Sequence, residues 1–313
     1  MSVSSPAVTC RGLVKKFGDV VAVAGLDLDV YRGECFGLLG PNGAGKTTTI
    51  EILEGLTTQD EGDVELLGER WGHGRDRQLR SRLGIQLQET QLNDKLSVEE
   101  TLRLFRSFSD QGRHVDEVIA LVELESKRKS WVGKLSGGQK QRLAIGCALV
   151  GAPDLLFLDE PTTGLDPQSR RQLWDLLVRY RSGGGTILLT THYMDEAELL
   201  CDRVAVVDRG RVIALDTPRA LISALGAEHV VEFAVSDHGV VLDAAVLGAL
   251  PGVRDARYEQ DAWSLGTSEV HLAVPALLAQ LAAQGATLSH LTTHSATLED
   301  VFVALTGRHL RDA

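Results

Sequence analysis

Residues 40–47 read Gly-Pro-Asn-Gly-Ala-Gly-Lys-Thr, types and a spacing suited to holding phosphate. Gly40, Gly43 and Gly45 let the backbone curl around anionic oxygens with no side chain in the way. Pro41, Asn42 and Ala44 fill the remaining loop positions. The apolar run Cys35–Leu39 before the loop has the character of a fully buried parallel strand, and Thr47, Thr48 and Thr49 open a helical segment. Strand, Gly-rich loop and helix are the context a P-loop requires. Backbone N–H groups at the helix start point at the anion, and the helix dipole adds to the attraction. Lys46 is placed to reach the β- and γ-phosphates of a nucleotide, and the Thr47 hydroxyl to hold Mg2+.

A second apolar run, Leu155–Leu158, ends in the adjacent acids Asp159 and Glu160, with Pro161 stiffening the exit. Asp159 at the strand tip is placed to bind Mg2+ through water. Glu160, one residue on, is placed to take a proton from an attacking water. Alone, two acids here would read as a strand-end turn; after a P-loop they read as phosphoryl-transfer chemistry. A third segment, Leu135-Ser136-Gly137-Gly138-Gln139, opens a helix expected over Gly138–Val150. Its glycines bare backbone N–H groups at a positive helix end, which makes a second anion site. By itself it would serve equally as a Ser-capped helix start. The chain has a single P-loop, so two anion sites serve one triphosphate only across a dimer.

With these motifs in this order, residues 7–225 resemble the nucleotide-binding subunits of ATP-binding cassette (ABC) transporters. The resemblance implies an α/β P-loop NTPase core of the RecA-like kind, with an antiparallel β subdomain and a helical subdomain at about 89–150. It also implies further site residues. Phe17, in Lys-Lys-Phe-Gly, matches the aromatic that stacks on adenine. Gln88, in Leu-Gln-Glu-Thr, matches the glutamine that meets Mg2+ and senses the membrane partner; Gln86 competes for that role, and the distance from Gly84 favours Gln88. Asp166, after Leu165, matches a loop that communicates across the dimer. His192, in Leu-Thr-Thr-His, matches the histidine that contacts the γ-phosphate. The implied mechanism closes two cassettes over two ATP molecules. Each is held between one subunit's Lys46 and the other's Ser136, Gly137, Gly138 and Gln139, and opening follows hydrolysis.

Composition limits the partners. A formal charge of −11 opposes nucleic acid as the main partner, because phosphate backbones are bound by clustered Lys and Arg. The four cysteines are scattered with no Cys-x-x-Cys pair, so neither a disulfide framework nor a metal site is indicated. No apolar run approaches the ~18 residues of a membrane span. The start, Met-Ser-Val-Ser-Ser-Pro, lacks the basic flank and apolar core of a signal peptide. The expectation is a cytoplasmic subunit that is peripheral on the inner face of the cell membrane and borrows its pore from a separate permease.

The remaining periodicities place the elements around the motifs. Strands are expected in residues 7–39, where Leu26, Leu28 and Val30 share a face, and at 63–67, 82–87, 154–158 and 186–190. Helices are expected at 98–108, 115–122 and 168–181, and Arg209-Gly210 signals a hairpin. From about Gly226 the texture changes to β-α-β-β-α-β: strand 230–235, helix 242–250, strands 252–258 and 262–265, helix 275–283 with Pro275 at its first position, and strand 287–292. That order suggests a small ferredoxin-like α+β domain over 226–313. A last helix, capped by Thr297 with Asp300 three residues on, carries Leu298, Val301, Phe302 and Leu305 on one face.

The run Ser295–Gly307 also resembles the tail of daunorubicin-resistance-type ABC exporter ATPases, which pair with a separate six-span permease. The resemblance therefore points to the ATP-hydrolysing motor of a bacterial exporter for a drug-like or lipophilic compound, working with a second copy of itself or a related ATPase subunit. Three alternatives stand beside it: an importer ATPase, a soluble ABC ATPase with a non-membrane partner, and a nucleotide-binding module without turnover.

Overall fold

Alternation of apolar residues builds the first two strands, β1 (Pro6–Phe17) and β2 (Val20–Tyr31), which pair antiparallel. Leu26, Leu28 and Val30 are all buried. The computed structural model describes residues 5–88, 91–236, 242–259 and 262–307, and the chain divides into two units, Met1–Asp216 and Thr217–Ala313. Every residue of β3 (Cys35–Leu39) is buried, and the strand delivers the chain through residues 40–45 into α1 (Lys46–Leu53). β4 (Glu61–Leu66) returns to β1, completing a three-stranded antiparallel sheet of order β2-β1-β4.

A short helix, α2 (Asp76–Ser81), precedes β5 (Leu83–Gln86). Three helices then interrupt the sheet: α3 (Val98–Arg106), α4 (Val115–Leu121) and α5 (Gly137–Leu149). The sheet resumes with β6 (Leu155–Asp159), α6 (Pro167–Ser182), β7 (Thr186–Thr191), α7 (Met194–Leu200) and the hairpin β8 (Arg203–Asp208) and β9 (Arg211–Asp216). The order is β5-β6-β7-β3-β8-β9, parallel except for the β8–β9 edge. β3, β6 and β7 are buried along their whole lengths, and β3 and most of β6 read as apolar runs, because both faces of a parallel sheet are covered. Each fully buried Leu or Phe there contributes about 1.5–3 kcal/mol.

The second unit begins with α8 (Pro218–Ser223). β10 (His229–Val235), α9 (Ala244–Gly248), β11 (Val253–Glu259), β12 (Ala262–Thr267), α10 (Val270–Ala283) and β13 (Leu288–Ser295) follow, and α11 (Leu298–Thr306) ends the described chain. The antiparallel order β11-β12-β10-β13 is that of a ferredoxin-like sheet. Val231, Phe233, Leu265, Leu277 and Leu281 form its core.

Two expectations need correction here. Pro275 lies inside α10, not at its start. Ala273, Leu277 and Leu281 recur every four residues as a buried stripe, and burying Ala273 recruits a turn ahead of the proline. In α11 the buried residues are Leu298, Val301, Phe302 and Val303, whereas Leu305 is half exposed, so the apolar face is one turn shorter than the pattern suggested. The capping box of Thr297 and Asp300 is present. No helix among the described residues is long and apolar enough to cross a membrane.

Candidate functional site

The sheet order brings β3, β6 and β7 side by side and parallel, so their C-terminal tips converge. Leu39 pairs with Thr191 and Asp159 with Thr190. Ligands of open α/β sheets bind at this edge. Above β3 the 40–45 loop turns into α1 at Gly45, whose φ of 99° is left-handed and whose added Cβ would collide with the Ala22 carbonyl. Only glycine fits that N-cap. Lys46 is buried, and its Nζ donates to the carbonyls of Gly40 (2.8 Å) and Pro41 (3.0 Å) while lying 3.8 Å from Glu160 Oε1. Burial pulls its pKa down, and the nearby Glu160 and Asp159 charges oppose that shift. The ammonium is thus held inside the loop with the acids beside it.

Thr47 Oγ1 donates to Asp159 Oδ1 at 3.4 Å, and Thr190 Oγ1 donates to the same oxygen. Burial raises the Asp159 pKa, with repulsion from Glu160 adding to it. Glu160 takes a left-handed φ of 45°, unusual for a residue with a Cβ. Its N–H donates to Thr190 Oγ1 at 3.0 Å, and its carboxylate accepts from Thr163 Oγ1 at 3.1 Å. His192 Nδ1 lies 3.2 Å from Glu160 Oε2 without the angles of a hydrogen bond, and this contact is the main influence lowering the Glu160 pKa against its burial. The His192 ring tilts against Tyr193 with centroids 4.1 Å apart. Lys46, Thr47, Asp159, Glu160 and His192 therefore form one cluster. A buried lysine, a hydroxyl–carboxylate pair of hard oxygens and a carboxylate against a histidine suit a nucleotide phosphate, a divalent cation and a proton acceptor.

The other expected residues lie around this cluster or apart from it. Ser136 caps α5 in a reciprocal box, its Oγ accepting from Gln139 N at 3.3 Å and its N–H donating to Gln139 Oε1 at 3.1 Å. A Cβ on Gly137 would meet open space, whereas one on Gly138 would overlap Ser169 Oγ. Gly138 is thus fixed by packing against the start of α6. Asp166 caps α6, accepting from Gln168 N, Ser169 N and Ser169 Oγ, which accounts for its lowered pKa. Phe17 is half exposed at the end of β1 with Lys15 Nζ 5.3 Å from its ring centroid. Gln86 ends β5 fully buried, whereas Gln88 is exposed two residues beyond it. Glu89 and Thr90 of the expected turn lie outside the described residues. Among the described residues, no hydrogen bond or ion pair joins Ser136–Gln139 to the Lys46–His192 cluster.

Sequence reasoning missed Thr163, Thr190 and Gln141. Thr190 links Asp159 to the Glu160 backbone, and Gln141 Nε2 donates to the Pro161 carbonyl at 2.8 Å. The available signal for Thr190 was a pair of hydroxyls, Thr190 and Thr191, at the tip of a strand with an apolar centre, just before His192.

A parallel-sheet P-loop core, paired acids at the adjoining strand tip and a separate Ser-capped, glycine-rich helix start are the parts of an ATPase cassette. Residues 23–163 match the family described as ABC transporter. The chain is 43% identical to the Nod factor export ATP-binding protein I of Cupriavidus pinatubonensis, over 98% of this chain and 94% of that protein. A solved ATP-binding subunit of an ABC transporter superposes with a TM-score of 0.64 at 29% identity, covering 70% of this chain and 93% of that one. A dimeric ATP-binding cassette in a post-hydrolysis state, bound to ADP and Pi, superposes with a TM-score of 0.60 at 26% identity, covering 67% and 98%. The chain belongs to the ATP-binding subunits of ABC transporters, and it is an ATPase. The tail motif led to the expectation of an exporter ATPase, and the Cupriavidus relative is named for export.

Proposed function

We propose that this chain is the MgATP-hydrolysing motor of a bacterial exporter, working as a head-to-tail pair of cassettes against a separate membrane permease. The observation that carries this reading is the placement of the Glu160 carboxylate, 3.2 Å from His192 Nδ1 and 3.8 Å from Lys46 Nζ at the tip of β6. Lys46 and the loop N–H groups bind the β- and γ-phosphates, with Phe17 under the adenine. Thr47, Asp159 and Gln88 would hold Mg2+, and the exposure of Gln88 favours it over buried Gln86. Bound there, Mg2+ neutralises charge developing on the phosphate oxygens.

Glu160 accepts a proton from water as the water oxygen bonds to the γ-phosphorus. The bond from that phosphorus to the β-phosphate oxygen breaks, and ADP and phosphate leave. His192 orients Glu160 and contacts the γ-phosphate. Ser136, Gly137, Gly138 and Gln139 of the second copy close the site, which fits the exposure of Ser136 and the open space over Gly137. Asp166 ties this region to α6. The motor sits on the inner face of the membrane, and its cargo is a drug-like or lipophilic compound. A relative's name, Nod factor export, gives one cargo of this branch.

The test is Glu160→Gln in the full chain. It should bind MgATP, turn over at least ~100-fold more slowly, and accumulate as a dimer by light scattering. A monomer that hydrolyses at the wild-type rate contradicts the assignment.

A further inference from the structure

Helix α5 grips the segment that carries the catalytic base at both ends. At its head, Gln141 Nε2 donates at 2.8 Å to the carbonyl of Pro161, the residue next after Glu160. At its foot, the Gly138 backbone approaches Ser169 too closely to admit a Cβ, and Ser169 Oγ donates to Asp166 Oδ2 at 2.6 Å. Between the two grips the chain turns on itself, Thr163 N donating to Glu160 O at 3.2 Å and Leu165 N to Thr162 O at 3.2 Å. Glu160 stands at the mouth of this turn with φ of 45°. A left-handed residue with a side chain holds that conformation only where its surroundings impose it.

The same helix begins at Ser136, exposed, with open space over Gly137. Gln141 lies five residues further on, ~7.5 Å along the axis. Leu143, Ala144 and Ile145 of α5 are buried, so the helix moves as a body and not residue by residue.

We propose that Gln141 is a positioning residue that transmits the placement of the α5 N-terminus to Glu160 of its own chain. The inference rests on the paired-cassette reading above, in which that N-terminus meets the phosphate held in the other copy's loop. Occupancy of one nucleotide site then orients the base of the other. Because the link runs within one chain, each cassette senses its neighbour's nucleotide through its own helix.

The test is steady-state MgATP hydrolysis by the full chain as a function of ATP concentration. Gln141→Leu should lower kcat about 3- to 10-fold, the equilibrium factor carried by one neutral hydrogen bond. KM should stay within about twofold, and the Hill coefficient should fall from near ~2 in the wild type towards ~1. Gln141→Glu keeps the size but removes the donor, and it reads the same prediction if the leucine variant melts early. Gln141→Lys, which can donate to the same carbonyl, should recover both kcat and cooperativity. A kcat loss that leaves the wild-type Hill coefficient intact overturns the inference, as does a loss explained wholly by KM. Absence of ATP turnover in the wild type would instead strike the underlying function as well.

Discussion

Glu54 ends α1 with its N–H on the Ile50 carbonyl, and its side chain is 2% exposed. Neither carboxylate oxygen has a donor among the described residues. Burial, with repulsion from Asp159 and Glu51 added, pushes its pKa from 4.5 up to about 8. The folded chain therefore keeps this proton through a pH range in which the unfolded chain has released it. A raised carboxyl of this kind gives its full stability below 4.5, and that stability drains away as pH rises to about 8. At about 1.4 kcal/mol per tenfold change in proton activity, the ceiling is ~5 kcal/mol. Local relaxation and water entry lower it to ~2–4 kcal/mol.

Glu54→Gln keeps the shape and removes the titration. Urea unfolding of the full chain, followed by fluorescence of Trp71, Trp131 and Trp174 in the first unit, should show the variant gaining those ~2–4 kcal/mol on the wild type between about pH 5 and pH 8.5. A variant-minus-wild-type difference that does not change with pH would refute the assignment of a neutral buried acid at this position.

Removing His192 should act in the same direction on a different group. His192 is the largest influence lowering the Glu160 pKa, so in His192→Ala burial dominates and the acid limb of the kcat–pH profile moves to higher pH. A residual activity with an unmoved limb contradicts the pairing. Gly138→Ala forces a Cβ into Ser169 and should cost ~1–3 kcal/mol of stability, and Ser169→Gly should restore most of it in the double variant. Equal loss in single and double variants, by thermal unfolding, would place the constraint elsewhere.

The chemistry of this chain was legible because it is carried by runs whose meaning is local. A buried strand, a Gly-rich turn and a helix start are contiguous in Cys35–Leu53, and two acids follow directly on Leu155–Leu158. The α+β order of the second unit was legible for the same reason, since each strand carries its own alternation. Three short helices were not. α2, α7 and α8 are six or seven residues long, which gives a 3.6-residue period little room to declare itself, although α4 and α9, equally short, were expected. Contacts between elements were invisible as well. Thr190, Thr163 and Gln141 gain meaning only when β6, β7 and α5 meet, and nothing in the local sequence marks Glu54 as buried. Pro275 misled because a helix-start preference was outweighed by a packing stripe that begins before it.

The most direct test of the whole account is a high-resolution structure of the Glu160→Gln chain saturated with MgATP. It should show two copies related head to tail, with Ser136 and the Gly137 N–H of each against the γ-phosphate bound by the other's Lys46. If each γ-phosphate contacts residues of a single copy only, with both Ser136 side chains facing solvent, the account is wrong.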